Sequence, residues 1–281
     1  MRQASRSEQR SGGENSNRAG KRPKIDPLTL ENWLYRPASL LSIVLVWLVL
    51  ARILGEQILP GPVSTFEFLW SQLERGALTR HIGITMYRVL VAFSVAMVLG
   101  VVLGMLMGLS RVVDRLMEAW LIVGLTVPRI MLFVVAYLML GLNDTSAIVA
   151  LVFTVIPTII VQLREGTRAV DQKLVEMARA YRRSDFTIWR QVIFPQLLPY
   201  FIGTARGALS LAWKMVILAE LLGRTSGVGY QITFYFQMFN MRGILAYGVA
   251  MMLVLAVIDL TFVGLTQRFG FRWRRSGRYT G

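Results

Sequence analysis

Residues 164–199 have the sequence REGTRAVDQKLVEMARAYRRSDFTIWRQVIFPQLLP, a polar stretch between two apolar runs. The stretch is too long for a simple turn and has helical periodicity, whereas the runs on either side have the character of membrane spans. Because so polar a segment cannot lie in lipid, it must lie in water, and its seven Lys and Arg residues place it on the cytoplasmic side. A membrane protein that holds a helical loop of this kind in the cytoplasm is expected to bind a partner there.

The composition is that of a membrane protein. Of the 281 residues, 54% are hydrophobic and only 17% are charged, and the mean hydropathy is +0.52. The apolar residues form continuous runs of the length that a bilayer requires of a helix, rather than the alternating pattern of barrel strands. We therefore predict an all-α integral membrane protein with about six transmembrane helices, at residues 39–55, 89–109, 119–142, 147–163, 201–222 and 244–265.

The distribution of charge predicts how the chain is oriented. A net charge of +15 also occurs in nucleic-acid-binding proteins, but here the basic residues flank apolar runs. Twenty-two Lys and Arg residues lie in the two ends and the alternate loops on one side, against five on the other, so both termini should face the cytoplasm. The predicted parts are a disordered basic cytoplasmic tail, a transmembrane domain that includes the loop 164–199, and a basic cytoplasmic C-terminal tail, at residues 1–37, 38–270 and 271–281.

Small residues mark one face of the second span, where another helix can approach closely. They recur at a strict interval of four positions: Ala92, Ala96, Gly100, Gly104 and Gly108. The fifth span repeats the pattern with Gly203 and Gly207. Packing within a single bundle is one interpretation of these faces, and an interface between two copies of the chain is the other.

Charged residues inside the spans are costly and need partners or water. Arg206 and Asp259 lie at similar depth near the inner ends of spans five and six, so we predict that they form a structural ion pair. Arg129 and Lys214 fall near mid-membrane without an acid at the same depth, which indicates a polar cavity suited to an anion. Together with Glu220 they form the candidate translocation path. The alternatives are that Lys214 pairs with Glu220, or that either cation reaches back to the membrane surface.

The cytoplasmic stretch resembles the EAA loop of bacterial ABC importer permeases, whose pattern is E-A-A-x3-G-x9-I-x-L-P. It matches that pattern at Glu176, Ala178 and Pro195. It departs from the family's Ala, Gly, Ile and Leu at Met177, Arg182, Val192 and Phe194. The family's glycine serves as a turn between two short helices, so an arginine there is expected to need a different backbone path or a continued helix.

The resemblance extends over nearly all of residues 59–275 and is to permeases of the nitrate, sulfonate, taurine and bicarbonate type. LPGP at 59–62 is similar to that family's LPSP after the first span. TMYRVLVAF at 85–93 and GLSR at 108–111 resemble the borders of its second span. The string AELLGRTSGVGY at 219–230 resembles a pattern specific to this group. Arg129 is a departure, since the family commonly has a second proline there.

The resemblance implies the type I ABC importer permease fold in a bacterial inner membrane. Two permease subunits, a homodimer, would form the translocation path, two ATP-hydrolysing subunits would bind the cytoplasmic face, and a periplasmic or lipid-anchored binding protein would deliver solute outside. The coupling helix would lie in residues 176–185, with contacts to the ATPase from Glu176, Met177, Ala178, Arg179, Ala180, Tyr181, Arg182 and Pro195. This chain has no G-x-x-x-x-G-K-[ST] phosphate loop, so we expect it to bind no cofactor and its partner to bind ATP and Mg.

Two other classes of protein remain as alternatives. A secondary transporter would need coupling acids at mid-membrane, whereas Glu220 and Asp259 lie towards span ends. A membrane-embedded enzyme would need a nucleophile with a base, or metal ligands. The chain has no cysteine and no H-E-x-x-H, and its single histidine, His81, lies outside, so we predict no catalytic or metal-binding residue. A permease of this class would carry a small anion such as a sulfonate or nitrate, and should co-purify with an ATPase.

Overall fold

The computed structural model describes residues 27–269, and that part of the chain is helical with no strand. In chain order its elements are α1 Pro27–Leu54, α2 Pro62–Glu74, α3 Ala77–Leu109, α4 Arg111–Thr126, α5 Arg129–Leu140, α6 Asp144–Arg168, α7 Gln172–Ala180, α8 Asp185–Ile188, a π turn Trp189–Ile193, α9 Phe194–Gly223, α10 Val228–Gln237 and α11 Met241–Phe269. Within residues 27–269, five helical segments are long and apolar enough to cross a membrane, and the bent pair of α4 and α5 counts as a sixth. The predicted all-α membrane fold with about six crossings is confirmed.

The third crossing differs from the continuous span predicted at residues 119–142. α4 ends at Thr126, α5 begins at Arg129, and the two helices are bent by 96°. Pro128 explains the break, because proline lacks an N–H and disfavours helical backbone in the residue before it. Val127 is accordingly extended, with φ −60° and ψ 127°.

The first helix begins earlier than predicted and packs weakly on the rest of the chain. Residues 27–37, assigned to the disordered tail from their composition, form the first turns of α1. Pro27 suits the first helical position, where the missing N–H would be unbonded in any case. In residues 37–54 only 6% of positions are buried, and the indole N–H of Trp47 donates to the Pro60 carbonyl at 3.1 Å. The rest of the predicted N-terminal tail, residues 1–26, and the predicted C-terminal tail lie outside the described residues.

The core of the bundle forms where α3 packs against α6 through glycines. Gly100 faces Ile159, and a Cβ added to Gly104 would lie 2.9 Å from the carbonyl oxygen of Ile160. Because that oxygen belongs to the backbone it cannot rotate away, so the absence of side chains is what lets the two helices approach. The small-residue face of the second span therefore packs within the bundle rather than between copies.

Ion pairs join the connections at each end of the bundle. At one end Asp114, in the first turn of α4, meets Arg164 at 2.7 Å and Arg168 at the end of α6. At the other end Arg88 of α3 meets Asp144, the first residue of α6, at 2.7 Å. The two clusters thus lie at opposite ends of α6. The loops that the charge distribution assigned to one side of the membrane lie next to each other in the structure.

Candidate functional site

The predicted coupling segment folds as α7, the turn after it and α8. Asp171 caps the start of α7, since its side chain accepts a hydrogen bond from the backbone N–H of Lys173 at 2.9 Å. Such a cap satisfies one of the N–H groups that a helix leaves unbonded at its N-terminus. The backbone N–H of Asp171 itself donates to Gln196 Oε1 of α9 at 2.9 Å. The start of α7 is therefore capped locally and joined directly to α9.

The end of α7 is closed by a residue in the left-handed conformation, and that residue is Arg182, with φ 52°. Its N–H donates to the Arg179 carbonyl at 2.8 Å, and the N–H of Arg183 donates to the Ala178 carbonyl at 3.3 Å. These two bonds form a Schellman cap. The expectation that arginine forces a different backbone path is wrong: the loop keeps the turn that glycine would make, at a cost of about 1–2 kcal/mol for a side chain in this region.

One face of α7 packs on the bundle, and the opposite face is exposed. Val175 is buried in a cluster with Ile188 of α8 and Leu197 of α9. The exposed residues of the predicted coupling set are Glu176, Met177, Arg179, Ala180, Tyr181 and Arg182, and Ala178 and Pro195 are half-buried. Met177 is 54% exposed and Tyr181 is 75% exposed. Large apolar side chains exposed on a polar loop are typical of an interaction surface.

A groove of about 740 Å³ lies between α9 and α11 and contains the predicted ion pair. Arg206 donates to both carboxylate oxygens of Asp259 at 2.7 Å, the bidentate arrangement that favours this pair. Lys214 also lines the groove and has no ion-pair partner among the described residues. Gly203 and Gly207 lie on the same wall, and a Cβ on Gly203 would meet nothing within 4 Å. Gly203 thus leaves an open face, whereas a Cβ on Gly207 would lie 3.9 Å from the Gln162 side chain of α6.

The other two residues of the predicted path lie elsewhere. Glu220 is 1% exposed, and its Oε1 lies 2.5 Å from Nη1 of Arg88. The alternative in which Lys214 pairs with Glu220 is therefore wrong, because this carboxylate pairs with the Arg88 guanidinium, and Glu220 does not line the groove that contains Lys214. Arg129 is exposed at the first position of α5, directly after the bend, and does not line the groove.

The buried cluster around Arg88 is the feature that sequence reasoning missed. Arg88 is 0% exposed and contacts Asp144 at 2.7 Å and the Ser226 carbonyl at 2.8 Å, in addition to Glu220. Glu220 also accepts a hydrogen bond from Thr85 Oγ1 at 2.9 Å. A signal was available, since a basic and an acidic residue stand inside two of the family-like strings, at 85–93 and 219–230. Whether Arg88 and Glu220 pair depends on how α3 packs against α9, and neither string determines that packing by itself.

The short helix α10 begins on this cluster. Three consecutive backbone N–H groups donate to side chains there: Gly227 to His81 Nδ1 at 3.1 Å, Val228 to Thr85 Oγ1 at 2.9 Å and Gly229 to Glu220 Oε2 at 2.8 Å. A carboxylate is favoured at a helix N-terminus because it faces unbonded N–H groups and the positive end of the helix dipole. Gly227 has φ 108°, and a Cβ there would collide with the Glu220 carboxylate, so glycine is required. His81 acts here as a hydrogen-bond acceptor, and the described residues contain no cluster of three or more potential metal ligands.

Residues 96–275 match the protein family described as the binding-protein-dependent transport system inner membrane component. The chain belongs to this family. It is therefore a permease, a multi-pass membrane component of an ABC importer that works with ATPase and binding-protein partners, and a transport subunit rather than an enzyme. The family and the class of function expected from the EAA-like loop are confirmed.

Relatives of the permease cover most of its length. It is 30% identical over 249 residues to the putative aliphatic sulfonates transport permease protein SsuC of Escherichia coli (strain K12), which spans 87% of this chain and 94% of that protein. It is 26% identical over 256 residues to the nitrate import permease protein NrtB of Synechococcus elongatus, spanning 88% of each. A solved structure of the MetNI methionine ABC transporter in inward-facing conformations shares the fold, with a TM-score of 0.60, 20% identity, and coverage of 68% of this chain and 95% of that one.

Proposed function

We propose that two copies of this permease form the path of an ATP-driven importer for a small anion, with α7 as the coupling helix that binds an ATPase subunit. The observation that carries this proposal is the arrangement of α7 itself. It is fixed at its start by Gln196 and on its inner face by Val175, while Met177 and Tyr181 remain exposed. A short helix held in this way can transmit a rigid-body movement of its partner to α9.

Two incompletely packed surfaces support a homodimer. α1 has few contacts within its own chain, and the face of α9 at Gly203, beside the groove, is open. Small residues on an open helix face allow a second helix to approach closely, and a weakly packed transmembrane helix needs a protein or lipid neighbour. A second copy of the chain supplies a neighbour for each surface. The excess of basic residues in alternate loops supports placing both termini and α7 in the cytoplasm.

The charge of the α9–α11 groove supports an anionic solute. Asp259 neutralises Arg206, whereas Lys214 has no acid beside it among the described residues, so the groove carries an excess positive charge. Relatives are named for aliphatic sulfonates, nitrate and bicarbonate, all of which are anions. ATP and Mg would be bound by the ATPase, since this sequence carries no phosphate-binding loop.

The coupling role is tested by reversing the charge of Glu176 in the complete importer, reconstituted with its ATPase and binding protein. Glu176→Lys should insert normally and hydrolyse ATP without driving uptake, because the altered α7 surface no longer fits its partner. Glu118→Lys makes the same charge change at an exposed position of α4 and should leave uptake unchanged. Normal uptake by the Glu176 variant refutes the coupling role.

The side of the membrane is tested independently. The chain contains no cysteine, so a Tyr181→Cys variant carries a single thiol at a position that is 75% exposed. An impermeant maleimide should label it in inverted vesicles and not in intact cells. Labelling from outside contradicts the proposed orientation.

A further inference from the structure

A π turn interrupts the helical segment that runs from Asp185 to Gly223. Within this turn the N–H of Phe194 donates to the carbonyl of Trp189, five residues earlier rather than four. Pro195 accounts for the irregularity, because it has no N–H to offer the carbonyl four residues before it. Single π turns inside α-helices occur frequently at functional sites. This one separates the coupling segment from the part of α9 that lines the groove.

Gln196 connects the π turn to α7. Its Nε2 donates to the Val192 carbonyl at 2.9 Å, and its Oε1 accepts from the backbone N–H of Asp171 at 2.9 Å. One side chain therefore bonds both a carbonyl of the π turn and the capping residue of α7. The second attachment is apolar and lies on the next residue of α9, where Leu197 packs with Val175. A movement of α7 reaches α9 through these two adjacent positions.

Two aromatic rings report the state of the π turn. The ring centroids of Trp189 and Phe194 lie 5.5 Å apart, at an interplanar angle of 34°. In a regular α-helix with 3.6 residues per turn, side chains five positions apart point about 140° away from each other. The extra residue of the π turn brings the two rings onto one face. Conversion of the turn to α-helix would therefore separate them.

We propose that the π turn at Trp189–Ile193 is the hinge between α7 and the groove-lining part of α9, and that Gln196 is the positioning residue that holds it. This inference rests on the proposed coupling role of α7. When α7 moves, Gln196 carries the movement to the Val192 carbonyl and the turn changes its bonding. The part of α9 beyond it then turns about its own axis, which reorients the wall that carries Gly203 and Lys214.

The test uses the complete importer labelled with 5-fluorotryptophan, with the Trp189 resonance assigned by a Trp189→Phe variant. The fluorine resonance of Trp189 should differ between the nucleotide-free complex and the complex held with a non-hydrolysable ATP analogue. Gln196→Leu removes both polar contacts. In the nucleotide-free complex of this variant, the Trp189 resonance should shift towards the position that it has in the complex with the ATP analogue. The ratio of the two hinge states should change on the order of tenfold, as expected for loss of a hydrogen bond of ordinary strength. The same variant should transport fewer solute molecules per ATP hydrolysed.

The matched control is Gln191→Leu, which makes the same exchange at an exposed position of the π turn, where the glutamine side chain has no hydrogen bond to any residue that the structure describes. It should couple normally and leave the resonance in place. Pro195→Ala restores the missing N–H. Without nucleotide, this variant should already give the Trp189 resonance expected when the Trp189 and Phe194 rings are apart, which tests the hinge by a second route.

The outcomes separate this inference from the function on which it rests. A Trp189 resonance that is identical with and without nucleotide overturns the hinge, and so does a Gln196→Leu importer that couples as well as the control. Loss of the ATPase from Gln196→Leu alone also overturns it, because Gln196 would then serve docking. If the unmodified permease binds no ATPase at all, the proposed function fails and the hinge fails with it.

Discussion

Replacing Glu220 with alanine tests the buried cluster around Arg88. The Glu220 carboxylate accepts hydrogen bonds from Arg88 Nη1, Thr85 Oγ1 and the backbone N–H of Gly229. After the Glu220→Ala change the guanidinium of Arg88 stays buried with Asp144 as its remaining acid. The N–H of Gly229 loses its acceptor at the start of α10.

The expected loss of stability is large because both kinds of contact are buried. Removing one partner of a buried ion pair costs roughly 3–5 kcal/mol, and the remaining contact to Asp144 favours the lower end of that range. An unbonded buried N–H adds about 1 kcal/mol, for a total near 4 kcal/mol. In a chain of this size each kcal/mol moves the unfolding midpoint by roughly 2–4 °C, so the midpoint should fall by roughly 8–16 °C.

Thermal unfolding in detergent, followed by far-UV circular dichroism, measures this change. Glu220→Gln keeps an acceptor for Gly229 and should lie between the wild type and Glu220→Ala. The control is Glu56→Ala, which removes a pair with Arg242 whose two side chains are half-exposed, at a cost below about 1 kcal/mol. If Glu220→Ala unfolds no more readily than Glu56→Ala, the buried cluster does not stabilise the fold as argued.

Three further predictions follow from the local geometry. Arg182→Gly removes a side chain from a left-handed position and should stabilise the protein by about 1 kcal/mol in the same unfolding assay. Gly104→Ala places a Cβ 2.9 Å from a backbone oxygen of α6 and should cost about 1–3 kcal/mol, whereas Gly83→Ala, on the same helix with open space around it, should cost nothing. Lys214→Met should lower uptake of the anion about tenfold, as for loss of a charged hydrogen-bond donor, and Lys214→Arg should retain it.

Much of the architecture follows from the sequence because the membrane imposes its requirements locally. Lipid offers no hydrogen-bond partners to the backbone, so each crossing must be a continuous apolar run that can be found without knowledge of its neighbours. The same reasoning placed the polar loop 164–199 outside lipid. The small residues at positions 92–108 likewise indicated a close helix contact. The EAA-like pattern around Glu176 then identified the family.

Tertiary structure decided whatever depends on which helix faces meet. Arg88 and Glu220 stand 132 residues apart, and only the packing of α3 against α9 shows that each neutralises the other. The same packing left Lys214 in an open groove and removed Glu220 from it. Arg182 shows the same effect within a single loop. Its side chain disfavours a left-handed backbone, but the hydrogen bonds that close α7 and the packing of Val175 outweigh that cost. Propensities describe one residue at a time, whereas these outcomes are sums over contacts that exist only once the chain has folded.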